Sequence, residues 1–487
     1  MRTDQTLPAA KKTYHVGTLT YTKMGLVGVF FWLLWGDFCF TLMQTVMPAL
    51  LPLKLKAAAA SNFTIGLIVV SIPAVLNMIL NPIISTWSDR HRGPRGRRIP
   101  FLFWPSPFIA LFLILTAYGT DLGTWLQRAA SAHLGLTLPQ PWVILIVLAI
   151  CMVGFQFFNM FVASVYYYLW ADVVPKEFMG RFISLFKIIG TGAGWVWNYY
   201  IFGLAGAHMQ SIFIGIGVLY FMAFMLMCLR IKEGRYPPPP LMPHGHGGGA
   251  VGMVKTYFQE CFQNPYYVYF FLGTSLFWAA GTAGMTGGAA VFLIFFYRDA
   301  LHLSLEQIGR VLSWCMILTV VLLIPAGWLC DKLHPMRVTL ATYALGSVSV
   351  LLCFFFIHNQ TSMLIFLLLA QVPVAFLLAS NLPLCVALLP PERYGQFCSA
   401  AAIVQSLLTI LITPLVGSLL DWVGNYRYVF ALQATLMIPG FVFMLPVYRG
   451  WQRYGGAKNY TPPPVGSVAV INEAMACTVG DQCQRVT

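Results

Sequence analysis

Charge is what this chain has least of. Of its 487 residues only 9% are Asp, Glu, Lys or Arg, against 59% hydrophobic. A soluble domain of that size could not cover its surface with so few charges, so the composition excludes one. Other absences narrow the field. The eleven cysteines include no C-x-x-C pair; scattered mostly through apolar runs, they read as packing residues, not as metal ligands or disulfide partners. There is no G-x-x-x-x-G-K-[S/T] loop, so nucleotide-driven pumping would need a second chain. No cluster of His, Asp and Glu stands at catalytic spacing, which argues against an enzyme. No extramembrane domain is long enough to sense a ligand, which argues against a receptor. The first 23 residues lack the apolar core of a cleaved signal peptide. No cofactor or metal is implied.

What is present is apolar sequence in lengths that cross a bilayer, which takes roughly 20 residues. Such segments fall at about 24–50, 63–87, 99–119, 141–171, 182–205, 209–230, 265–296, 305–330, 337–357, 362–389, 399–422 and 427–447. We number them spans 1 to 12 and expect an all-α membrane protein of two six-helix pseudo-repeats, the spans being too long for barrel strands. The expected organisation is an N-terminal arm (1–23), a first bundle (24–230), a linker (231–264), a second bundle (265–447) and a tail (448–487). Pro237–Pro240 and the Gly245–Gly249 run mark the linker; residues 250–262 could lie on the membrane surface as an amphipathic helix, and the tail from about Gly450 reads as disordered. The net charge of +14 belongs to topology, not nucleic acid. With the N-terminus in the cytoplasm, 22 of 29 Lys and Arg fall on that side, which places both termini in the cytoplasm of a plasma (inner) membrane.

Span 1 contains Trp32-Leu-Leu-Trp-Gly-Asp37-Phe-Cys, with Asp37 about 13 residues from either end. A carboxylate at that depth costs several kcal/mol unless neutralised, paired or wetted. Asp172 and Asp421 sit at span ends, where water can reach them, and no histidine falls in mid-span. Asp37 is thus the residue expected to carry a coupling proton, since a desolvated carboxyl has a raised pKa and can load and release. A permanent structural pairing is the competing explanation. Gln44 lies seven residues on along the same face.

The two bundles echo one another. Loop 2–3 carries Asp89-Arg90 through Arg95-Gly96-Arg97-Arg98, and loop 8–9 carries Asp331-Lys332. Loop 4–5 reads Pro175-Lys-Glu177-Phe-Met-Gly180-Arg181, and loop 10–11 Pro390-Pro-Glu392-Arg-Tyr-Gly395-Gln. Paired recurrences in a six-plus-six chain describe a repeat transporter, whose substrate site lies where the repeats meet. Over residues 20–450 the chain resembles the major facilitator superfamily. The longer Asp89–Pro100 loop and the Trp35-Gly-Asp-Phe-Cys-Phe segment are similar to the sucrose/proton symporters and the related glycoside–pentoside–hexuronide cation symporters. Ser85 departs from the signature, which has Gly there. That branch resemblance is the sole source of "sugar". The signature residues, with Glu177, Arg181 and Glu392, are expected to latch and release the cytoplasmic side.

Candidate substrate contacts are Gln44, Asn77, Gln156, Asn159, Lys187, Trp195, Asn198, Trp278, Asn381 and Gln405, since amides bind hydroxyls and aromatic faces cover a pyranose. Each has a blander role available, as helix glue or interfacial belt. Lys187, about five residues from a span end, is shallow enough to snorkel. Five glycines around Trp278 would let span 7 bend. The expected function is proton-coupled symport of a small neutral sugar, with sodium as the other candidate ion, by a monomer in the lipid bilayer. A facilitative carrier, an exporter of amphiphiles and a membrane sensor are the alternatives.

Overall fold

The computed structural model describes residues 13–135, 138–236, 257–281 and 288–464. The Pro237–Pro240 and Gly245–Gly249 runs, and residues 465–487 of the tail, lie outside that range. Of the expected surface helix, residues 257–262 are described and helical.

A hairpin of β1 (Tyr14–Val16) and β2 (Leu19–Tyr21) precedes the helices, turning at Gly17 with φ +54°. Then come α1 (Lys23–Ala57), α2 (Asn62–Arg90), α3 (Ile99–Ala117), α4 (Gly119–Leu134), α5 (Gln140–Val173), α6 (Met179–Val196) and α7 (Ala205–Arg230). The second half supplies α8 (Pro265–Ala280), α9 (Leu305–Leu333), α10 (Pro335–Phe356), α11 (Gln360–Leu388), α12 (Tyr394–Val423) and α13 (Tyr428–Arg453). Among the described residues ten stretches are long and apolar enough to span a membrane, and one of them, Lys176–Arg230, holds both α6 and α7. The remaining expected span, the seventh, is broken.

Helix ends follow their sequence signals. Ser304 caps α9 reciprocally with Gln307, and Asn359 caps α11 with Ser362, satisfying amides that a helix start leaves orphaned. Gly135 and Gly424 close α4 and α12 in the left-handed conformation. At 1.5 Å per residue, α1 measures about 50 Å, well beyond a ~30 Å hydrocarbon layer. Its far end carries Lys54 and Lys56 and is packed into the protein, with Leu50, Leu51, Leu53, Lys54 and Leu55 buried. The amphipathic α4 escaped notice because its polar face hides it from a search for apolar runs; it packs on α5, where Gly123 faces Ile144.

Contacts divide the chain into two units: unit 1 is Met1–Leu50 with Ile79–Leu241, and unit 2 is Leu51–Met78 with Met242–Thr487. In unit 1, α3 packs on α5 and α7. In unit 2, α8 packs on α12 and α13, and α11 on α9 and α10. The outer part of α2, residues 62–71, lies along α12 within unit 2.

Span 7 stops at Ala280. Gly281 has φ +76°, and the chain is described again from Gly288, at φ +56°, as irregular helix to Ala300. The buried Gln433 of α13 donates to the Ala280 carbonyl (3.0 Å), giving the cut helix end an acceptor's partner. A Cβ on Gly288 would stand 2.1 Å from the Ala279 oxygen. The tail departs from expectation: α13 runs to Arg453, and residues to 464 pack. Tyr460 donates to the Leu388 carbonyl (2.9 Å), and Tyr267 donates to that of Pro463 (2.9 Å). Tyrosine hydroxyls and an ordered proline run hold this segment, features a polarity count overlooks.

Gly288→Val should therefore abolish the folded protein, seen as loss of a monodisperse chromatographic peak, because both space and φ forbid a side chain. Gly206→Ala, which meets nothing within 4 Å, should leave the peak unchanged.

Candidate substrate and coupling site

Asp37 sits in the middle of α1 and is 1% exposed. Its Oδ2 is buried and has no hydrogen-bond partner. The α1 backbone is clamped there: Tyr166 of α5 donates to the Leu33 carbonyl (2.5 Å), and a Cβ on Gly36 would meet the Met227 sulfur at 2.5 Å. From α6, Gly190 opposes the carboxyl, its would-be Cβ 3.3 Å from Oδ2 and 3.6 Å from Thr41 Oγ1. Tyr166, Tyr167 and Lys187 are within electrostatic reach, yet Asp37 forms no ion pair among the described residues. An unpaired carboxyl at this depth is held there by packing, not by a salt bridge.

Two turns along α1, Gln44 donates to Asn159 Oδ1 (3.0 Å). The Asn159 amide in turn donates to Gln44 (3.4 Å) and Gln156 (3.3 Å). Asn159 is fully buried, while Gln44 and Gln156 are half-buried and keep faces free of the cluster. Unit 1 thus brings together three of the expected residues, Gln44, Gln156 and Asn159, two turns along α1 from Asp37. The others in unit 1 are placed differently. Lys187 is exposed. Asn198 is buried and donates to its own helix at Gly194 (2.9 Å), beside the widened turn Trp197–Ile201. Trp195 stacks on Tyr199. In unit 2, Asn77 and Gln405 are exposed; Trp278 and Asn381 are half-buried, and no hydrogen bond joins any two of them among the described residues. Gln371 accepts from Thr319 (3.1 Å), tying α11 to α9.

The loop after α2 builds a charge network inside unit 1. Arg97 grips Asp172 with two bonds (2.8 and 2.5 Å); Arg98 reaches Asp172 (3.2 Å), Asp89 (2.5 Å) and Ser88 (2.6 Å). Asp172 is accordingly not left to water at a helix end, as its position suggested; its side chain is 9% exposed and paired twice. Glu233, just after α7, accepts the backbone amides of Arg97 (2.9 Å), Arg98 (2.8 Å) and Ile99 (2.6 Å) at the start of α3. Gly96, at φ +102°, lets Glu233 in: a Cβ would be 2.5 Å from the Glu233 carboxyl carbon. Burial, then Glu233 and Asp172, raise the Tyr236 phenol above its ordinary pKa, so it stays a donor to Glu233 (3.0 Å). Ser85, in place of the signature's Gly, lies 3.3 Å from Tyr168 Oη and links α2 to α5. Unit 2 does not repeat this network. Asp331 is exposed, and Lys332 lies over the Trp328 ring. Glu177, Arg181 and Glu392 are exposed too; Glu260 instead takes the pairing, with Arg393 (2.7 Å) and Gln396 (2.7 Å). Glu233 and Glu260 were missed because each stands alone in a linker sequence, with no motif to mark it.

At the other end of α2, unit 2 holds a second constellation. Asp421 of α12 accepts the amides of Asn62 (2.9 Å) and Phe63 (3.1 Å), the first turn of α2. Asn62 Oδ1 accepts from Lys56 (3.2 Å) and Tyr426 (2.9 Å). Below, a Cβ on Gly417 would meet the Asn62 oxygen at 2.4 Å, and one on Gly66 the Thr413 oxygen at 3.0 Å; Ser71 donates to the Ile410 carbonyl (2.9 Å). Asn62 is buried in this contact, while Phe63 beside it is exposed.

Residues 276–471 match the family model of the Major Facilitator Superfamily. No curated protein matches the chain in sequence. Among solved structures, a bacterial homologue of the human lysosomal transporter Spinster shares 13% identity, over 90% of this chain and 99% of that one, with a TM-score of 0.62. The peptide transporter POT in complex with sulfate shares 15%, over 90% and 97%, at 0.65. A bacterial homologue of the iron transporter ferroportin shares 15%, over 87% and 99%, at 0.62. Identities this low speak to the fold alone.

Neutralising Asp172 strands the Arg97 guanidinium and leaves the buried Arg98 only Asp89 and Ser88, so Asp172→Asn should cost about 3 kcal/mol. In a thermal melt of the detergent-solubilised protein it should unfold well below Asp331→Asn, which should match wild type. Equal melting temperatures for the two variants would contradict the network's structural role.

Proposed function

With the major facilitator fold as premise, we propose that the chain is a secondary active transporter, a proton-coupled symporter of a small neutral sugar or glycoside such as sucrose or maltose. The observation that carries this reading is Asp37: buried, with an unpartnered oxygen, and one helical stretch away from an amide cluster able to bind hydroxyls. A charged Asp37 is disfavoured by burial, and a neutral one needs no ion partner. Alternate exposure to the two aqueous sides would let it exchange that proton once per cycle. The sugar identity rests on the resemblance of the Asp89–Pro100 loop and of the Trp35–Phe40 segment to sugar carriers. The solved relatives are described as carrying quite different substrates, so the fold leaves this choice open.

Alternating access needs contacts that hold one face shut and part in the other state. In this reading the Arg97–Arg98 network fastens unit 1 on its positive side, and the Asp421–Asn62 contact closes the outer end of α2 on α12. A facilitative carrier would use the same gates without Asp37's proton.

Counterflow of mono- and disaccharides in proteoliposomes should identify the substrate. Asp37→Asn should then keep exchange while losing gradient-driven accumulation; accumulation at the wild-type level would sink the coupling role. Asp421→Ala deletes two amide–carboxylate bonds of roughly 1 kcal/mol each, so labelling of a Ser71→Cys thiol by an external maleimide should quicken by about thirtyfold. Unchanged labelling would show that this contact does not gate.

A further inference from the structure

Unit 1 has a large cavity that neither the coupling site nor the network uses. It measures about 620 Å³ and is walled by the rings of Trp87, Phe101, Trp104, Phe108, Phe157 and Phe161 from α2, α3 and α5. Its wall is pre-built: Trp87 sits edge-on to Phe101 (5.0 Å), and Phe108 stacks on Phe158 (4.5 Å). Trp87, Trp104 and Phe108 are nonetheless among the chain's exposed large apolar residues, Trp104 at 67%. Aromatic surface of this extent on membrane-spanning helices has to be covered by something apolar.

The cavity's polar members say what. They are His91 and Arg95, both in the loop between α2 and α3. The acids of this region are already taken: Asp89 and Asp172 by Arg97 and Arg98, and Glu233 by the start of α3. Arg95, exposed, lies over the Phe103 ring (4.6 Å) and forms no ion pair among the described residues. Arg90, exposed, lies in the same loop, so positive charge stands beside an apolar slot. That combination fits an amphiphile with an anionic head and a hydrocarbon tail.

We propose that this groove is a binding site for an anionic phospholipid of the leaflet on the positive side, its phosphate held by Arg95 and His91 and one acyl chain laid along the aromatic wall. Arg95, set down from the sequence as part of a gate, is in this assignment a lipid ligand. The proposal stands apart from sugar symport and would hold for any substrate.

The test is native mass spectrometry of the full, delipidated chain released from detergent, titrated with dioleoyl phosphatidylglycerol, with dioleoyl phosphatidylcholine, and with glycerol phosphate as the free headgroup. Phosphatidylglycerol should give discrete adducts at concentrations where phosphatidylcholine gives none, and glycerol phosphate should not displace them. Arg95→Gln should weaken the adduct about fivefold, the effect of one basic group at an anionic membrane surface. Trp104→Ala, at an exposed position where folding is not at stake, should weaken it as well. Equal adducts with both lipids would reduce the groove to ordinary lipid contact. Displacement by glycerol phosphate would leave an anion site without a lipid slot. Wild-type binding by either variant, or a dimer whose interface excludes lipid, would overturn the assignment.

Discussion

Hydrocarbon offers no partner to a polar group, and most of what is unusual in this chain follows from that. Every amide, hydroxyl and charge inside the spans has to find its partner within the protein or reach an edge. Ser71 gives its proton to the Ile410 carbonyl, Gln433 answers the cut end of α8, and Gln44, Asn159 and Gln156 bond one another. Lys187 lies exposed, one turn from the Gly190 that opposes Asp37. Asp37 does neither. Other buried polar atoms lack a partner too, Trp197 Nε1, Tyr297 Oη, Tyr343 Oη and Thr413 Oγ1 among them, but among the described residues Asp37 is the one carboxyl, and one packed beside Tyr166, Gly190 and Thr41 is under no structural obligation to be an acid.

The charges that remain are spent at the ends of helices. Asp172 neutralises two arginines, Glu233 caps α3, and Asp421 caps α2. Each acid sits against a helix start or a guanidinium fork, arrangements in which one carboxylate can satisfy two or three donors at once. Such contacts are strong when formed and come apart as a unit. The imbalance between the units is informative too. Unit 1 assembles a full network from the loop after α2, whereas Asp331 and Lys332 share the pattern of that loop without its arginines and assemble none.

Much of this was legible beforehand, for physical reasons. Span length is set by the bilayer, so the long helices other than α4 follow from apolar run lengths, and Asp37 is conspicuous in any reading. What stayed hidden obeys other rules. The α4 helix is amphipathic and has no hydropathy signal; the packing of residues 454–464 depends on single tyrosines. The partners of Arg97 and Arg98 are distant in sequence, and Glu233 has no motif. The clustering of Gln44 with Asn159, and the turning of Asn198 to its own backbone, depend on helix rotations that a span count cannot supply.

The central claim is that substrate entry moves a proton. It is tested most directly by recording the external pH of weakly buffered proteoliposomes, without any imposed gradient, as a transported disaccharide is added. The account predicts immediate external alkalinisation that a protonophore abolishes. Uptake of the sugar with no change in pH would contradict it.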